Sequence, residues 1–177
     1  MAIHLYQSKK AHRYIGESVY MDEPWDQSQV DPLTVWYVDV FFIKRERYLV
    51  FANPLTKLSC FIFRYSKKSH PDFFESFKQS LTITLLAADV NPQVYLQGFD
   101  VLVPFTSTNK SASSHISRLK QEYQWMLEDV NHSISPPDDE RHYNQIIARD
   151  ICSYGGKDYD YPSKRFYHEL LLRRWTS

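Results

Sequence analysis

The chain has 177 residues, of which 43% are hydrophobic and 24% are charged, so it is long enough to bury a core without disulfides. This composition excludes a disordered chain and a small disulfide-stapled scaffold. The 21 Lys and Arg residues balance the 21 Asp and Glu residues, which excludes a globally basic protein. Any attraction to nucleic acid or to a membrane surface must therefore come from a local patch.

The first residues of the chain favour a protein that stays in the cytoplasm. Polar His4, Gln7 and Ser8 stand where a secretory signal peptide needs an unbroken apolar run. No stretch of about 18 apolar residues occurs, so we expect no contact with a membrane. Cys60 and Cys152 have no second cysteine close by in the sequence, and we expect both to be buried, reduced thiols.

Strand patterns dominate the first third of the chain. After a short strand at residues 3–6, Ser8 and Gly16 supply the N-cap and C-cap of a brief helix at residues 9–15. Residues 17–32 are polar and contain two prolines, which predicts a surface loop. Dense β-branched and aromatic residues then predict a three-strand β-meander at residues 34–43, 48–52 and 58–65.

Helical periodicity dominates the remainder of the chain. Phe73, Phe77 and Leu81 recur four apart and predict a helix that begins at Pro71, after Ser69 as its N-cap. A short helix from Pro92, a strand at residues 100–106 and a long helix after the polar residues 107–113 follow in order. The long helix carries an apolar stripe made of Ile116, Leu119, Tyr123, Met126, Leu127 and Val130.

Residues 131–139, with two adjacent prolines, form the best linker in the sequence. The part that follows is too short to bury a core alone. We therefore expect one domain spanning residues 1–177, in which residues 131–177 are a helical C-terminal extension packed on the main body. Its apolar positions are Tyr143, Ile146, Ile147 and Ile151 in one helix and Phe166, Leu170 and Leu171 in a last helix from Ser163.

Strands and helices segregate along the chain, which favours an α+β fold. The sequence predicts a largely antiparallel sheet that contains the N-terminal strand, the three-strand meander and the later strand at residues 100–106. Helices with apolar faces should cover this sheet, because they need it for burial. We expect Val40, Val50, Phe51 and Phe61 in its core.

Short motifs are spread over most of the chain. Trp36 opens the first long predicted strand, Arg47 and Asn53 bracket the next one, and Asn144 lies late in the chain. The stretch Thr108, Asn109, Lys110 and Ser111 precedes a helix, and Tyr161 and Pro162 open the last helix. In these motifs the chain resembles a family of small bacterial proteins classed as a domain of unknown function. The resemblance implies a shared fold and a bacterial, cytoplasmic setting, and it brings no known activity, substrate or cofactor.

Standard catalytic signatures are missing from the sequence. The seven histidines never lie at the i, i+4 spacing of a zinc helix, and the four glycines never cluster as a phosphate-binding loop requires. We therefore predict no metal and no cofactor, and we favour a non-enzymatic binding or interaction module with an unknown protein partner or ligand. An enzyme whose site assembles only in three dimensions stays open as an alternative.

The polar loop at residues 106–114 is one candidate binding site. Thr108, Asn109, Lys110 and Ser111 place hydroxyls, an amide and an ammonium directly before a helix, whose free N–H groups attract anions. The competing interpretation is that these residues only cap the helix and satisfy turn amides.

Basic residues at strand ends form a second candidate site. Arg45 and Arg47, with Lys44, lie in the turn before the second meander strand. They are joined in principle by Arg64, Lys67 and Lys68. Such residues are often a solvated rim that discourages edge pairing. The alternative function is a binder of phosphate-bearing ligands, either nucleic acid or nucleotide, through the 106–114 loop together with Arg45 and Arg47.

Overall fold

The computed structural model describes residues 2–16, 30–99, 101–106, 110–129, 136–154, 156 and 158–175. The strands within this part are β1 (Ala2–Gln7), β2 (Val35–Ile43), β3 (Glu46–Ala52), β4 (Ser59–Ile62), β5 (Val101–Thr106), β6 (Cys152–Tyr154) and β7 (Asp158–Asp160). The helices are α1 (Lys9–Ile15), α2 (Phe73–Ala87), α3 (Pro92–Leu96), α4 (Lys110–Asp129), α5 (Pro136–Ile147) and α6 (Pro162–Leu172). Among these helices, none has the length and apolar composition needed to cross a bilayer.

The main sheet is mixed, with the strand order β4-β3-β2-β1-β5. Strands β2, β3 and β4 form the antiparallel meander, whereas β1 pairs in parallel with both β2 and β5. The fold is α+β, but the prediction of a largely antiparallel sheet is wrong. Parallel neighbours need long crossover connections, which usually contain a helix. Here α1 lies between β1 and β2 in the chain, and α2 and α3 lie between β4 and β5.

One face of the sheet packs against α1, α2, α3 and α6. Trp36 lies at the centre of this layer and is completely buried. Its indole Nε1 donates to the Tyr95 hydroxyl at 2.9 Å, and that hydroxyl donates to the carbonyl oxygen of Leu33 at 2.7 Å. The layer also contains Phe77 of α2 and Phe166 of α6, so the last helix belongs to the main core.

The opposite face of the sheet packs against α4 and α5. Of the predicted stripe of α4, Ile116, Leu119, Tyr123 and Leu127 are buried against this face and Met126 is partly buried there. Val130 lies outside the described residues. The four predicted core residues, Val40, Val50, Phe51 and Phe61, are completely buried. Because helices cover both faces, the sheet offers no open aromatic surface among the residues described here.

Helix α5 covers the outer edge of β4. The Asn144 side chain accepts a hydrogen bond from the Phe61 amide at 2.6 Å and donates to the Phe61 carbonyl at 3.0 Å. Glu140 accepts from the Phe63 amide at 2.8 Å. These side chains thereby occupy backbone groups that a further strand would otherwise pair with.

Asn53 organises the turn between β3 and β4. Its amide nitrogen donates toward the carbonyl oxygens of Pro32, Leu33 and Val35, of which Val35 is the nearest at 2.8 Å. Its side-chain oxygen accepts from Leu55 N, Thr56 N and the Thr56 hydroxyl, at 3.0 to 3.1 Å. Asn53 is completely buried, so this turn is held rigidly against the start of β2.

The C-terminal part differs from its prediction in three places. The predicted linker at residues 131–139 is wrong from residue 136 onward, because α5 begins at Pro136, and residues 131–135 lie outside the described part of the chain. Cys152 is buried, as expected, but it lies in a β6–β7 hairpin that the sequence does not predict. Ile151 and Leu171 are exposed and do not contribute to the core. The reason is that α5 ends at Ile147, while the buried residues of α6 are Pro162, Phe166 and Leu170.

Candidate functional site

The polar loop lies mostly outside the described residues. Thr108 and Asn109 fall in the gap at 107–109, so their predicted role stays a prediction. Helix α4 begins at Lys110, which makes Lys110 and Ser111 the first two helical residues. Binding of an anion by this loop therefore stays a hypothesis.

Arg45 and Arg47 lie at the β2–β3 turn, far from the first turns of α4. His115, in the second turn of α4, contacts the Lys57 carbonyl beyond the end of β3. The two arginines lie at the start of β3, and a strand of this length spans about 20 Å. The structure therefore separates Arg45 and Arg47 from the start of α4, where Lys110 and Ser111 lie.

The first region is a basic surface built from three segments of the chain, residues 9–16, 44–47 and 64–68. Together they hold nine of the 21 Lys and Arg residues and one of the 21 acidic residues, Glu46. The basic surface consists of Lys9, Lys10, Arg13, Lys44, Arg45, Arg47, Arg64, Lys67 and Lys68.

Ring and backbone contacts hold these three segments together. The Tyr14 and Phe42 rings meet edge to face at 5.5 Å. Arg47 Cζ lies 4.6 Å from the centre of the Tyr14 ring, and Lys10 Nζ lies 4.8 Å from that of Phe42. The third segment joins through the Tyr65 amide, which donates to the Arg47 carbonyl at 2.8 Å.

Gly16 ends α1 beside the third basic segment. A Cβ atom at this position would lie 2.7 Å from Lys67 Nζ, which is the end of a flexible side chain and could move aside. The φ of Gly16 is 83°, which L side chains rarely adopt. The backbone conformation at the end of α1 therefore favours glycine here.

The only carboxylate of the basic surface is already paired. Glu46 forms an ion pair with Arg64 at 2.6 Å. Lys44 and Arg45 are exposed, and both have positive φ angles, of 47° and 76°. Two-residue hairpin turns of this geometry favour Asn-Gly. Lys44 and Arg45 are therefore more strained at these two positions than Asn and Gly would be.

The second region is a cleft of about 370 Å³ between the first turns of α4 and the β6–β7 hairpin. We call it the α4 cleft. Its polar and aromatic lining consists of Lys57, Ser114, His115, Arg118, Cys152, Ser153 and Tyr159.

His115 is neutral at physiological pH. Burial, together with the nearby Arg118 and Lys57 cations, lowers the pKa of His115 to about 4. Its Nε2 atom lies 3.3 Å from the Lys57 carbonyl and 3.3 Å from the Ser59 hydroxyl. The neutral ring therefore donates from Nε2 to the carbonyl, and the lowered pKa reflects burial first and the two cations second.

Cys152 lines the same cleft as a protonated thiol. Burial raises the pKa of Cys152, although Arg118 and Lys57 oppose this effect. Arg118 Nη2 lies 3.5 Å from the sulfur atom. A nucleophilic cysteine needs a stabilised thiolate, so this environment favours binding over covalent catalysis.

Sequence reasoning identified part of the basic surface and missed the cleft. The sequence predicts that the β2–β3 turn and the 64–68 segment form one basic group. It does not connect this group with Lys9, Lys10 and Arg13 of α1. A signal existed, because α1 places these residues beside Tyr14 on a short helix. Lys57, His115 and Cys152 are too far apart in sequence for any spacing rule to connect them.

The fold defines an α+β protein with a five-stranded mixed sheet that helices cover on both faces. The chain belongs to the family described as Domain of unknown function (DUF6933), whose model matches residues 5–165. The resemblance to a family classed as a domain of unknown function is therefore confirmed. No curated protein matches the chain.

Three of the motif residues have structural roles in this chain. Trp36, Asn53 and Asn144 are completely buried, and each completes hydrogen bonds of the scaffold. Arg47 differs, because it lies on the basic surface above Tyr14.

Proposed function

We propose that the chain is a non-enzymatic binding module whose basic surface binds single-stranded nucleic acid. The observation that supports this most strongly is the convergence of nine Lys and Arg residues from three segments, in a chain with a formal charge of zero. The phosphate backbone of a nucleic acid supplies the matching negative charge along an extended surface. The bacterial, cytoplasmic setting expected from the sequence forms part of the same proposal.

The aromatic rings of the basic surface favour an unpaired strand over a duplex. Tyr14 and Phe42 are half-buried and lie between cationic side chains. Unpaired bases stack on aromatic rings and on Arg guanidinium planes. A duplex keeps its bases inside the stack, so it would gain only the phosphate contacts.

The backbone of the β2–β3 turn supports a role for its charges. A left-handed conformation costs an L residue about 1 kcal/mol, and Lys44 and Arg45 both adopt it. Asn-Gly would reverse the chain with less strain. A turn that serves only to connect two strands has no need of two exposed cations.

This strain makes a clean test possible. The double substitution Lys44→Asn and Arg45→Gly removes two charges and should stabilise the turn. A matched control is Lys164→Asn with Arg174→Gly, because Arg174 also has a positive φ, of 58°. Both control residues are exposed. Lys164 lies on α6 and Arg174 lies just after it. The adjacent Arg173 pairs with Asp31, which precedes β2. The control residues are therefore near the end of β2 that is opposite the β2–β3 turn.

Fluorescence anisotropy with a short single-stranded RNA and DNA of mixed sequence would measure binding at several salt concentrations. Loss of two phosphate contacts should weaken binding and lower the slope of log K against log salt by about 1.4. The melting temperature should not fall, and the control variant should bind like the unmodified protein. The proposal is wrong if the unmodified protein does not bind at low salt, or if both variants bind equally. Preference for polyglutamate over nucleic acid would indicate an acidic protein partner instead.

A further inference from the structure

The α4 cleft is separate from the basic surface and has the dimensions of a small-molecule site. Its volume of about 370 Å³ lies within the range of roughly 300–1,000 Å³ that is typical of ligand pockets. Three parts of the chain form it: the turn before β4, the first turns of α4 and the β6–β7 hairpin.

Lys57 provides a fixed cation at one wall of the cleft. Its backbone amide donates to the Asn53 carbonyl at 2.9 Å, and its ammonium group donates to the carbonyl oxygen of Ser153. Among the described carboxylates, none forms an ion pair with Lys57. Its charge is therefore held in place and is not neutralised by these groups.

Arg118 provides a second cation, one helical turn beyond His115. Its Nη1 atom donates to both oxygens of Glu122, at 2.7 and 2.8 Å. Its Nη2 atom points instead toward Cys152, on the cleft wall. Glu122 thus orients the guanidinium group, and one edge of the group remains directed at the cleft.

Apolar groups line the outer part of the cleft. Ile151 is 56% exposed and Tyr159 is 66% exposed, and both border the opening. An exposed aromatic ring beside two cations matches a ligand that has an anionic group and a flat apolar part.

We infer that the α4 cleft binds a small phosphomonoester, with its phosphate between Lys57 and Arg118 and its organic part against Tyr159 and Ile151. The Ser114 hydroxyl and the His115 ring border the same space and complete the polar lining. The cleft and the basic surface lie at opposite ends of β3, so this inference does not rest on the proposed binding of nucleic acid.

Phenyl phosphate, inorganic phosphate and AMP are suitable probes, with binding measured by calorimetry and by NMR of the histidine rings. A bound phosphate should raise the pKa of His115, because its negative charge would oppose the effect of Arg118 and Lys57, the two cations that lower this pKa. At about pH 5 its ring signals should therefore move toward those of the imidazolium form. The Arg118→Gln variant should bind phenyl phosphate about 10-fold more weakly, because it loses a charge-assisted hydrogen bond.

Arg141→Gln is the matched control, since Arg141 is exposed on α5 outside the cleft. Tyr159→Ala should weaken phenyl phosphate binding and leave inorganic phosphate binding unchanged, and its exposed position keeps the fold intact. The Lys44→Asn and Arg45→Gly variant should bind phenyl phosphate like the unmodified protein.

Three results would each overturn the inference. The first is the absence of phenyl phosphate and AMP binding by the unmodified protein. The second is equal affinity in Arg118→Gln and Arg141→Gln. The third is loss of binding in the Lys44→Asn and Arg45→Gly variant, which would place the phosphate on the basic surface.

Discussion

Replacement of Asn144 by alanine tests whether α5 completes the sheet. The Asn144 side chain bonds the amide and the carbonyl of Phe61, an arrangement that a neighbouring β-strand residue would otherwise provide. In Asn144→Ala the Phe61 carbonyl keeps its bond from the Ser80 hydroxyl. The Phe61 amide loses its partner within a completely buried environment.

The expected destabilisation follows from these contacts. A buried donor without a partner costs about 1–3 kcal/mol, and the small cavity left by the amide group adds to this loss. We expect the free energy of unfolding to fall by about 3 kcal/mol. For a domain of this size, that change corresponds to a melting temperature lower by about 6–12 °C.

Urea denaturation, followed by tryptophan fluorescence and circular dichroism, would measure this change. Gln145→Ala is the matched control, because Gln145 is exposed on the same helix and should alter stability by less than about 0.5 kcal/mol. An Asn144→Asp variant keeps an acceptor for the Phe61 amide but places a carboxylate against the Phe61 carbonyl. Its folded-state pKa should rise above the unfolded value, so its stability should recover as the pH falls.

A loss below about 0.5 kcal/mol in Asn144→Ala would refute the reasoning. Equal losses in Asn144→Ala and Gln145→Ala would also refute it, because they would reflect the helix and not the edge of β4. A variant Asn144→Asp that loses stability as the pH falls would contradict the proposed role of the amide as a donor.

Two further predictions concern α5 and the part of the chain that contains it. Truncation after Val130 should strongly lower the melting temperature, since it removes the cover from β4 and Phe166 from the core; an unchanged melting temperature would show that residues 131–177 are an independent tail. Burial raises the pKa of Glu140 from 4.5 to about 7, so stability that is present below about pH 4.5 should be lost as the pH rises through 7. Glu140→Gln should flatten this dependence in urea titrations at low and high pH, and a stability that rises with pH over this window would contradict it.

The local pattern of the sequence was sufficient for most elements, but it did not determine their neighbours. The spacing of Ile116, Leu119 and Tyr123 predicts the buried face of α4, because helical periodicity depends only on nearby residues. The place of β1 between β2 and β5 depends on which edges meet after the helices fold back. The sequence of β1 does not specify its neighbouring strands, so the two parallel pairs could not be predicted from it.

The candidate sites divide in the same way. Arg45 and Arg47 were predicted because a turn between two strands is visible in a single stretch of sequence. The α4 cleft brings together Lys57, Arg118 and Cys152, which belong to three distant segments. They line one cavity only because the turn before β4, α4 and the β6–β7 hairpin pack together, so periodicity and spacing could not predict it.

The cover over β4 also has a consequence for synthesis of the chain. Phe61 and Asn144 lie 83 residues apart, and a ribosome adds about 5–20 residues per second. Asn144 is therefore synthesised about 4–17 s after Phe61, and the backbone groups of Phe61 lack this partner until then. During this interval the meander can add a strand from another nascent chain, so slow translation between β4 and α5 should promote aggregation of the unfinished protein.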